Sequence, residues 1–390
     1  MGNESMKNCE FIPLTELLLE IIDNRGKTCP TVSEGFPLIA TNCIKDSSIY
    51  PVFENIRYIS EETRKNWFRA ELKPNDIIFV NKGTPGKVCL VPEPVNFCAA
   101  QDMVGLRVDP EKIYYKYLYV VLKSDYIQKK IANFHVGIMI PHFKKSDMEE
   151  LLIPVPSMSI QKKIGDLYCL LSEKIEVNNK INDNLQKQLE LSFDYYFNNP
   201  LTSKKWKSGV LSDIATITMG QSPSGDSYNN VGDGTPFYQG STDFGTIFPM
   251  IRMYTTAPSR MAEKLDTLLS VRAPVGTMNV SFEKCCIGRG LAAIQGNNDN
   301  NIFVRYLLKR NQWYFDNINN SGTTFGSITK DYLYKMPITI PDDMSIKRFE
   351  DNAKTLEYQI YNREKEIRTL SSIRNWLLPM LMNGQAIIVE

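Results

Sequence analysis

The side chains able to do chemistry are few and scattered. Only two histidines occur, His135 and His142, near Lys144 and Lys145. Zinc needs Cys and His clustered at ligand spacing, and no third ligand stands close to this pair, so a loop or surface role fits them better than catalysis. The eight cysteines include no C-x-x-C pair, and the adjacent Cys285 and Cys286 suit neither a metal nor an ordinary disulfide. They read as small buried hydrophobes in a reducing compartment. Gly83-Thr-Pro-Gly-Lys87 has the outline of a phosphate loop, yet Asn81 stands where the pattern requires Gly and Val88 where it requires Ser or Thr. Gly288-Arg-Gly-Leu-Ala-Ala293 meets only the looser dinucleotide fingerprint, and Ile294-Gln-Gly-Asn-Asn298 breaks a helix where that fingerprint must open one. No G-x-S-x-G elbow occurs, and no carboxylate pair is marked out. The residues predict no catalytic group, no metal site and no cofactor held by this chain.

What is marked out is a set of polar, mostly Gly-containing loops. In the first half they carry Asn24, Arg25 and Lys27, then Lys45, then Asn81, Lys82 and Thr84, then His142, Lys144 and Lys145. In the second half they carry Gln221, Ser222 and Ser224, then Tyr238, Gln239 and Ser241, then Arg272, Arg289, Thr323 and Thr324. Arg and Lys suit guanine edges, Asn and Gln suit adenine, and Ser, Thr, Lys and backbone amides hold phosphates. Composition alone favours a plainer reading, because loops are polar everywhere and Gly marks turns. Charge shifts that balance: residues 1–156 sum to −1 and residues 201–341 to +4. A mildly basic second domain falls short of an autonomous DNA binder, so partner subunits would share the electrostatic grip.

The elements that position these loops are duplicated. Asp76-Ile-Ile-Phe-Val-Asn-Lys-Gly-Thr-Pro-Gly86 returns loosely as Asp266-Thr-Leu-Leu-Ser-Val-Arg-Ala-Pro-Val-Gly276, an offset of 190. Lys116-Tyr-Leu118 returns as Arg305-Tyr-Leu307 and Met158-Ser-Ile160 as Met344-Ser-Ile346, at offsets of 189 and 186. Leu171, Ile175 and Leu185 return as Leu356, Ile360 and Leu370 at an offset of 185, and four such matches in one order, with offsets shrinking smoothly, indicate two diverged half-length copies. Residues 11–156 and 206–341 hold short apolar runs between turn residues, Ile77–Val80 and Thr267–Val271 among them, and read as short strands with helices near 111–132 and 301–319.

Residues 158–197 and 344–381 are different, with almost no Gly or Pro. Ile164, Leu167, Leu171, Ile175, Ile181, Leu185 and Leu189 recur at three- and four-residue steps, as do Phe349, Ala353, Leu356, Ile360, Ile367, Leu370, Ile373 and Leu377. Each set is one narrow apolar seam on a long amphipathic helix, a rod of roughly 60 Å. A seam of that width suits another helix; the alternative packs each helix on its own preceding domain. The expected domains are 1–156 and 199–341, with spacer helices in 157–198 and 342–390.

The chain has 390 residues, a net charge of +1, 43% hydrophobic and 11% aromatic residues, a composition that folds and excludes long disorder. Met1–Glu10 has no apolar run after basic residues, so no signal peptide is expected, and Met6 breaks the myristoylation pattern. No stretch is long and apolar enough to span a bilayer. A soluble cytoplasmic protein is expected.

The second half resembles the specificity subunit of type I restriction–modification systems. The resemblance rests on Leu268-Leu-Ser-Val-Arg-Ala-Pro-Val-Gly-Thr277, Ile287-Gly-Arg-Gly-Leu-Ala-Ala-Ile294, Gly322-Thr-Thr-Phe-Gly-Ser-Ile-Thr-Lys330 and the ending Trp376-Leu-Leu-Pro-Met-Leu-Met-Asn-Gly384. In the first half, Ile153-Pro-Val-Pro-Ser-Met-Ser-Ile-Gln161 resembles that family's junction between a target-recognition domain and a spacer helix; the second junction departs from it with Lys347 in place of Gln. The resemblance implies an α+β protein: two mixed α/β target-recognition domains separated by two long antiparallel coiled-coil helices, a pseudo-twofold plan from one chain. It implies a bacterial or archaeal subunit without catalysis, bound to double-stranded DNA, each domain reading one half of a bipartite asymmetric target. Modification subunits, two in number, would carry S-adenosylmethionine and methylate adenine. Restriction subunits would use ATP and Mg, and no metal or cofactor would sit on this chain. Similar strings occur in family members with different targets, so Arg272 and Gly322-Thr-Thr-Phe325 are as well explained by holding the fold as by touching DNA. Two other functions stay open: the recognition subunit of an enzyme cutting on both sides of its site, and a coiled-coil scaffold that binds no DNA. A nuclease reading rests only on scattered Asp-x-Lys and Glu-x-Lys strings.

Overall fold

The computed structural model describes residues 9–23, 27–134, 141–198, 206–320 and 327–382. Contacts divide the chain into two units, one holding the residues up to Lys180 together with those from Glu364, the other holding Ile181–Arg363. Each is a mixed α and β body with a core of its own.

In the first unit Ile77–Val80 is buried at every residue, as an unbroken apolar run demands of a strand covered on both faces. It lies inside a four-stranded antiparallel sheet in the order Leu18–Asp23, Met103–Val108, Ile77–Val80, Val88–Leu90. The second unit repeats that sheet as Ala215–Met219, Leu291–Gly296, Thr267–Ser270, Met278–Val280. Ile77 faces Leu106, and Thr267 faces Ile294, so the registers coincide. A smaller sheet is also duplicated. Phe36–Ile39 runs parallel to Cys98–Ala99 and antiparallel to Arg57–Ile59. Thr235–Tyr238 runs parallel to Cys285–Ile287 and antiparallel to Tyr254–Thr255, and this sheet gains Tyr228–Asn229 and Met261–Ala262. The repeat read from sequence is a repeat of structure.

The turns around the central strands match as well. Asn75 (φ 72°) and Leu265 (φ 69°) enter them in the left-handed region. Asn tolerates that conformation and Leu does not, so Leu265 is strained. Its carbonyl accepts a bond of 3.2 Å from Arg305 Nη2, which holds the turn in place. On the exit side Gly276 (φ 88°) packs so closely that an added Cβ would stand 2.4 Å from Phe315 Cβ.

Two helical spans differ from expectation. Each is a pair of helices: Tyr115–Lys123 with Asp125–Asn133, and Asn301–Arg310 with Gln312–Asn320. Ser124 breaks the first span, because its extended backbone (ψ 144°) and its hydroxyl, which accepts from Ile127 N–H, start a new helix.

The two long helices are Met158–Phe197 and Asp343–Met382, 40 residues each. In the first unit Arg374 Nη1 donates to Ser172 Oγ (3.2 Å) and Asn178 Nδ2 to Glu366 Oε2 (3.0 Å). In the second, Asn352 Nδ2 donates to Tyr196 Oη (2.8 Å) and the rings of Phe193 and Phe349 lie 5.5 Å apart. In the first unit numbers rise along one helix as they fall along the other; in the second, Gln186 and Leu189 line a cavity with Glu357 and Ile360 while Phe193 lies against Phe349, so the helices run antiparallel in both. Ile164, Ile175, Leu185, Leu189, Phe349, Ala353 and Ile360 are buried; Leu167, Leu171, Ile181, Leu356, Ile367, Leu370 and Leu377 are half-buried. Ile373 turns outward, and the buried Asn178 and Asn182 interrupt the seam. Both packing modes hold together: Ile164 also joins the core of the first body, and Phe349 that of the second.

Candidate nucleic-acid interface

Strand Ile77–Val80 delivers the chain to a short two-stranded edge. Lys82 and His142 form an antiparallel bridge there, flanked by Phe143 N–H donating to Asn81 O (2.7 Å) and Gly83 N–H to Pro141 O (3.0 Å). Asn81 N–H donates to Asp102 O (3.0 Å), which brings the turn at Gln101 and Asp102 to the same edge. Lys82, Thr84, Lys144 and Lys145 are exposed, and the Lys82 ammonium has no protein partner among the described residues. Asn81 Oδ1 and Gln101 Oε1 are shielded from solvent and without a hydrogen-bond partner. Lys27 is exposed, whereas Lys45 is half-buried and paired with Glu54 at 2.9 Å, its charge already answered.

The second unit repeats the edge with more residues. Arg272 bridges Ser327, and Ile328 N–H donates to Val271 O (2.9 Å). Val271 N–H in turn donates to Gly290 O (2.9 Å), setting Arg272 beside the turn that carries Arg289. Gln221 N–H donates to Ile287 O (3.0 Å), and Arg289 N–H to Ser222 Oγ (3.4 Å). An added Cβ on Gly290 would come within 2.5 Å of Gln239 O, so that glycine admits Gln239 to the group. Gln221, Ser222, Gln239, Arg272 and Arg289 are thus gathered from four separate segments, all exposed except the half-buried Ser222.

Other candidates fall differently. Ser241 opens the turn Ser241–Asp243 next to Gln239, and Ser224 is exposed and accepts at its carbonyl from Ser227. Tyr238 is 1% exposed and its ring belongs to a core cluster, so it packs the sheet instead of facing solvent. Asn24, Arg25, Thr323 and Thr324 lie outside the described residues. Ser259 and Arg260 also join the edge: Ser259 Oγ donates to Gln221 O (2.6 Å), and Ile287 N–H to Arg260 O (2.9 Å). No local pattern marks those two. Gln101 is likewise unmarked in the sequence: the repeat's offsets of 190 and 189 set it against Leu291 or Gly290, not Arg289. Among the described residues no three His, Cys, Asp or Glu side chains are grouped to hold a metal ion, and no helix is long and apolar enough to cross a membrane.

The family model for the type I restriction modification DNA specificity domain matches this chain twice, over residues 15–187 and 203–363. The chain belongs to this family. It is similar to the type I restriction enzyme MjaX specificity subunit of Methanocaldococcus jannaschii, with 28% identity across 94% of this chain and 91% of that one. The MjaIX specificity subunit of the same organism is 23% identical, over 86% of this chain and 83% of its own. The crystal structure of the type I restriction–modification system S subunit from M. genitalium shares the fold, with a TM-score of 0.68 at 16% identity, covering 100% of this chain and 98% of that one. As a type I specificity subunit, the chain serves DNA target recognition, and the two sequence matches correspond to the two duplicated bodies.

Proposed function

We propose that the two units read the two halves of one bipartite, asymmetric DNA target and so direct adenine methylation and restriction by partner subunits. The observation that carries this reading is the repeated edge: a basic residue whose charged head has no partner among the described residues, Lys82 in one unit and Arg272 in the other, stands at the same bridge beside the same strand. Two readers built alike but lined differently suit a target of two unlike halves. Phosphate contacts fix register and base contacts give sequence, and both need side chains not already engaged within the protein. The chemistry then belongs to the partners: modification subunits, two per complex, with S-adenosylmethionine, and restriction subunits with ATP and Mg, in the cytoplasm where the DNA lies. This chain holds the target and performs no bond-making step.

Sequencing of methylated bases in cells expressing this chain with its modification partner tests the reading. Adenine methylation at one split motif is expected. Methylation that stays the same when the chain is deleted would sink it. Exchanging residues 206–341 for the corresponding domain of another specificity subunit should alter one half of the motif and leave the other.

A further inference from the structure

The two edges, laid residue on residue, separate positions that keep their chemistry from positions that change it. Ala100 N–H donates to Ile39 O (2.9 Å) as Gly288 N–H donates to Tyr238 O (2.8 Å). Asp102 O accepts from Asn81 N–H (3.0 Å) as Gly290 O accepts from Val271 N–H (2.9 Å). Between these matched bonds, Gln101 and Arg289 occupy one and the same turn position. By the bridges to His142 and Ser327, Lys82 and Arg272 are likewise one position.

Lys82 and Arg272 differ in shape but not in charge. A point charge and a planar fork are interchangeable against a phosphate and not against a base edge. Gln101 and Arg289 differ in the hydrogen-bond code itself. A carboxamide matches the N6 and N7 edge of adenine, and a guanidinium the O6 and N7 edge of guanine. None of the four side chains has its polar head tied to another described residue: no bond or ion pair engages the Lys82 ammonium or the Arg272 and Arg289 guanidinia, and Gln101 Oε1 is shielded from solvent without a partner, so its carboxamide meets a base by turning outward from the edge. The backbone under both turns is pinned, as a base-reading side chain requires.

We infer that Gln101 and Arg289 are the equivalent base-reading residues of the two units, Gln101 for an adenine in one half-site and Arg289 for a guanine in the other, while Lys82 and Arg272 hold phosphates. The inference rests on the proposed two-half reading. It divides the edge into a shared grip, common to every target, and a variable letter, which lets two copies of one domain read unlike half-sites.

The test uses the full complex with its modification subunits and reads the methylated motif in cells. Arg289→Gln should relax or switch a single base position in one half-site, with discrimination there falling roughly 5- to 150-fold. Arg289→Lys keeps the charge and loses the fork, so it should relax the same position, which separates reading from misfolding. Gln101→Arg should change a single position in the other half-site only. Lys82→Ala and Arg272→Ala should leave the motif intact while weakening binding on all sequences, each lowering the slope of log affinity against log salt by about 1. An unchanged motif in both Arg289 variants, or a changed base position in Lys82→Ala or Arg272→Ala, would overturn the assignment. A wild-type complex without a split motif would instead fail the underlying function.

Discussion

The two units solve one problem, fastening a body of sheets to a pair of long helices, with different chemistry. In the first, Gln161 lies in the first turn of the helix Met158–Phe197. Its Oε1 accepts from Tyr114 N–H (2.8 Å) and its Nε2 donates to Pro156 O (2.9 Å). In the second, the aligned residue is the exposed Lys347, and the task passes one turn along to Glu350, whose Oε1 accepts from Phe303 N–H (2.7 Å). A neutral amide with both ends satisfied is replaced by a buried carboxyl whose Oε2 has no partner. Burial pushes that carboxyl up to about 7 against the pull of the Phe303 N–H. The ion pairs differ in the same sense. Lys116 and Asp166 meet at 2.9 Å with side chains 24% and 52% exposed; Arg305 and Glu357 meet at 2.6 Å with side chains 6% and 8% exposed. Arg305 further holds the strained Leu265 turn and Thr267 Oγ1. The first unit is pinned by a buried neutral amide and a partly exposed ion pair, the second by buried ionisable groups.

The widest gap between the units should open at the ion pairs. Glu357→Ala strands Arg305 in the interior and should cost about 3–5 kcal/mol, seen as early denaturant unfolding with faster amide exchange in Asn301–Arg310. A loss as small as that of a surface pair would erase the contrast. Next in size, Gln161→Leu leaves Tyr114 N–H buried and unanswered and should weaken the first unit by about 1–3 kcal/mol, equally at pH 5 and pH 8.

Glu350→Gln turns the second fastening into the first. The wild-type carboxyl holds its proton when folded up to about 7 and releases it near 4.5 when unfolded. Its contribution is therefore fully present below about 4.5 and is lost as pH rises through about 7. The variant should lose that part of the slope in stability against pH. Asp266, also raised by burial, to about 6, keeps a remainder. A slope unchanged by Glu350→Gln would show that the carboxyl is not the source. The smallest effect is expected from Lys116→Ala, below about 1 kcal/mol in the same denaturant titration, because an exposed pair is screened by water and salt.

Much of this was legible in the residues. The two 40-residue helices follow from long stretches without Gly or Pro and with apolar residues at helical steps. Ile77–Val80 follows from an unbroken apolar run, and the repeat from ordered matches at a shrinking offset. These are local properties, set by propensity and periodicity within a few turns of chain. The edge was half legible: its Arg, Lys, Gln and Ser stood out as loop residues, while Tyr238 stood out equally and belongs to the core. The strand Thr235–Tyr238 is buried at each of its last three residues, so the polar-tipped Tyr238 packs inside, and its position next to a loop does not reveal that.

By itself, then, the sequence determined a duplicated α+β chain with two rods and a family with a known task. Only the tertiary structure decided that Gln221, Gln239, Arg272 and Arg289 share one edge, that Gln101 and Arg289 are one position, and that Glu350 takes over from Gln161. Each of those facts is a pairing between residues far apart in sequence, made by sheet register and helix packing. Such pairings depend on which surfaces bury one another, and no local pattern encodes that choice.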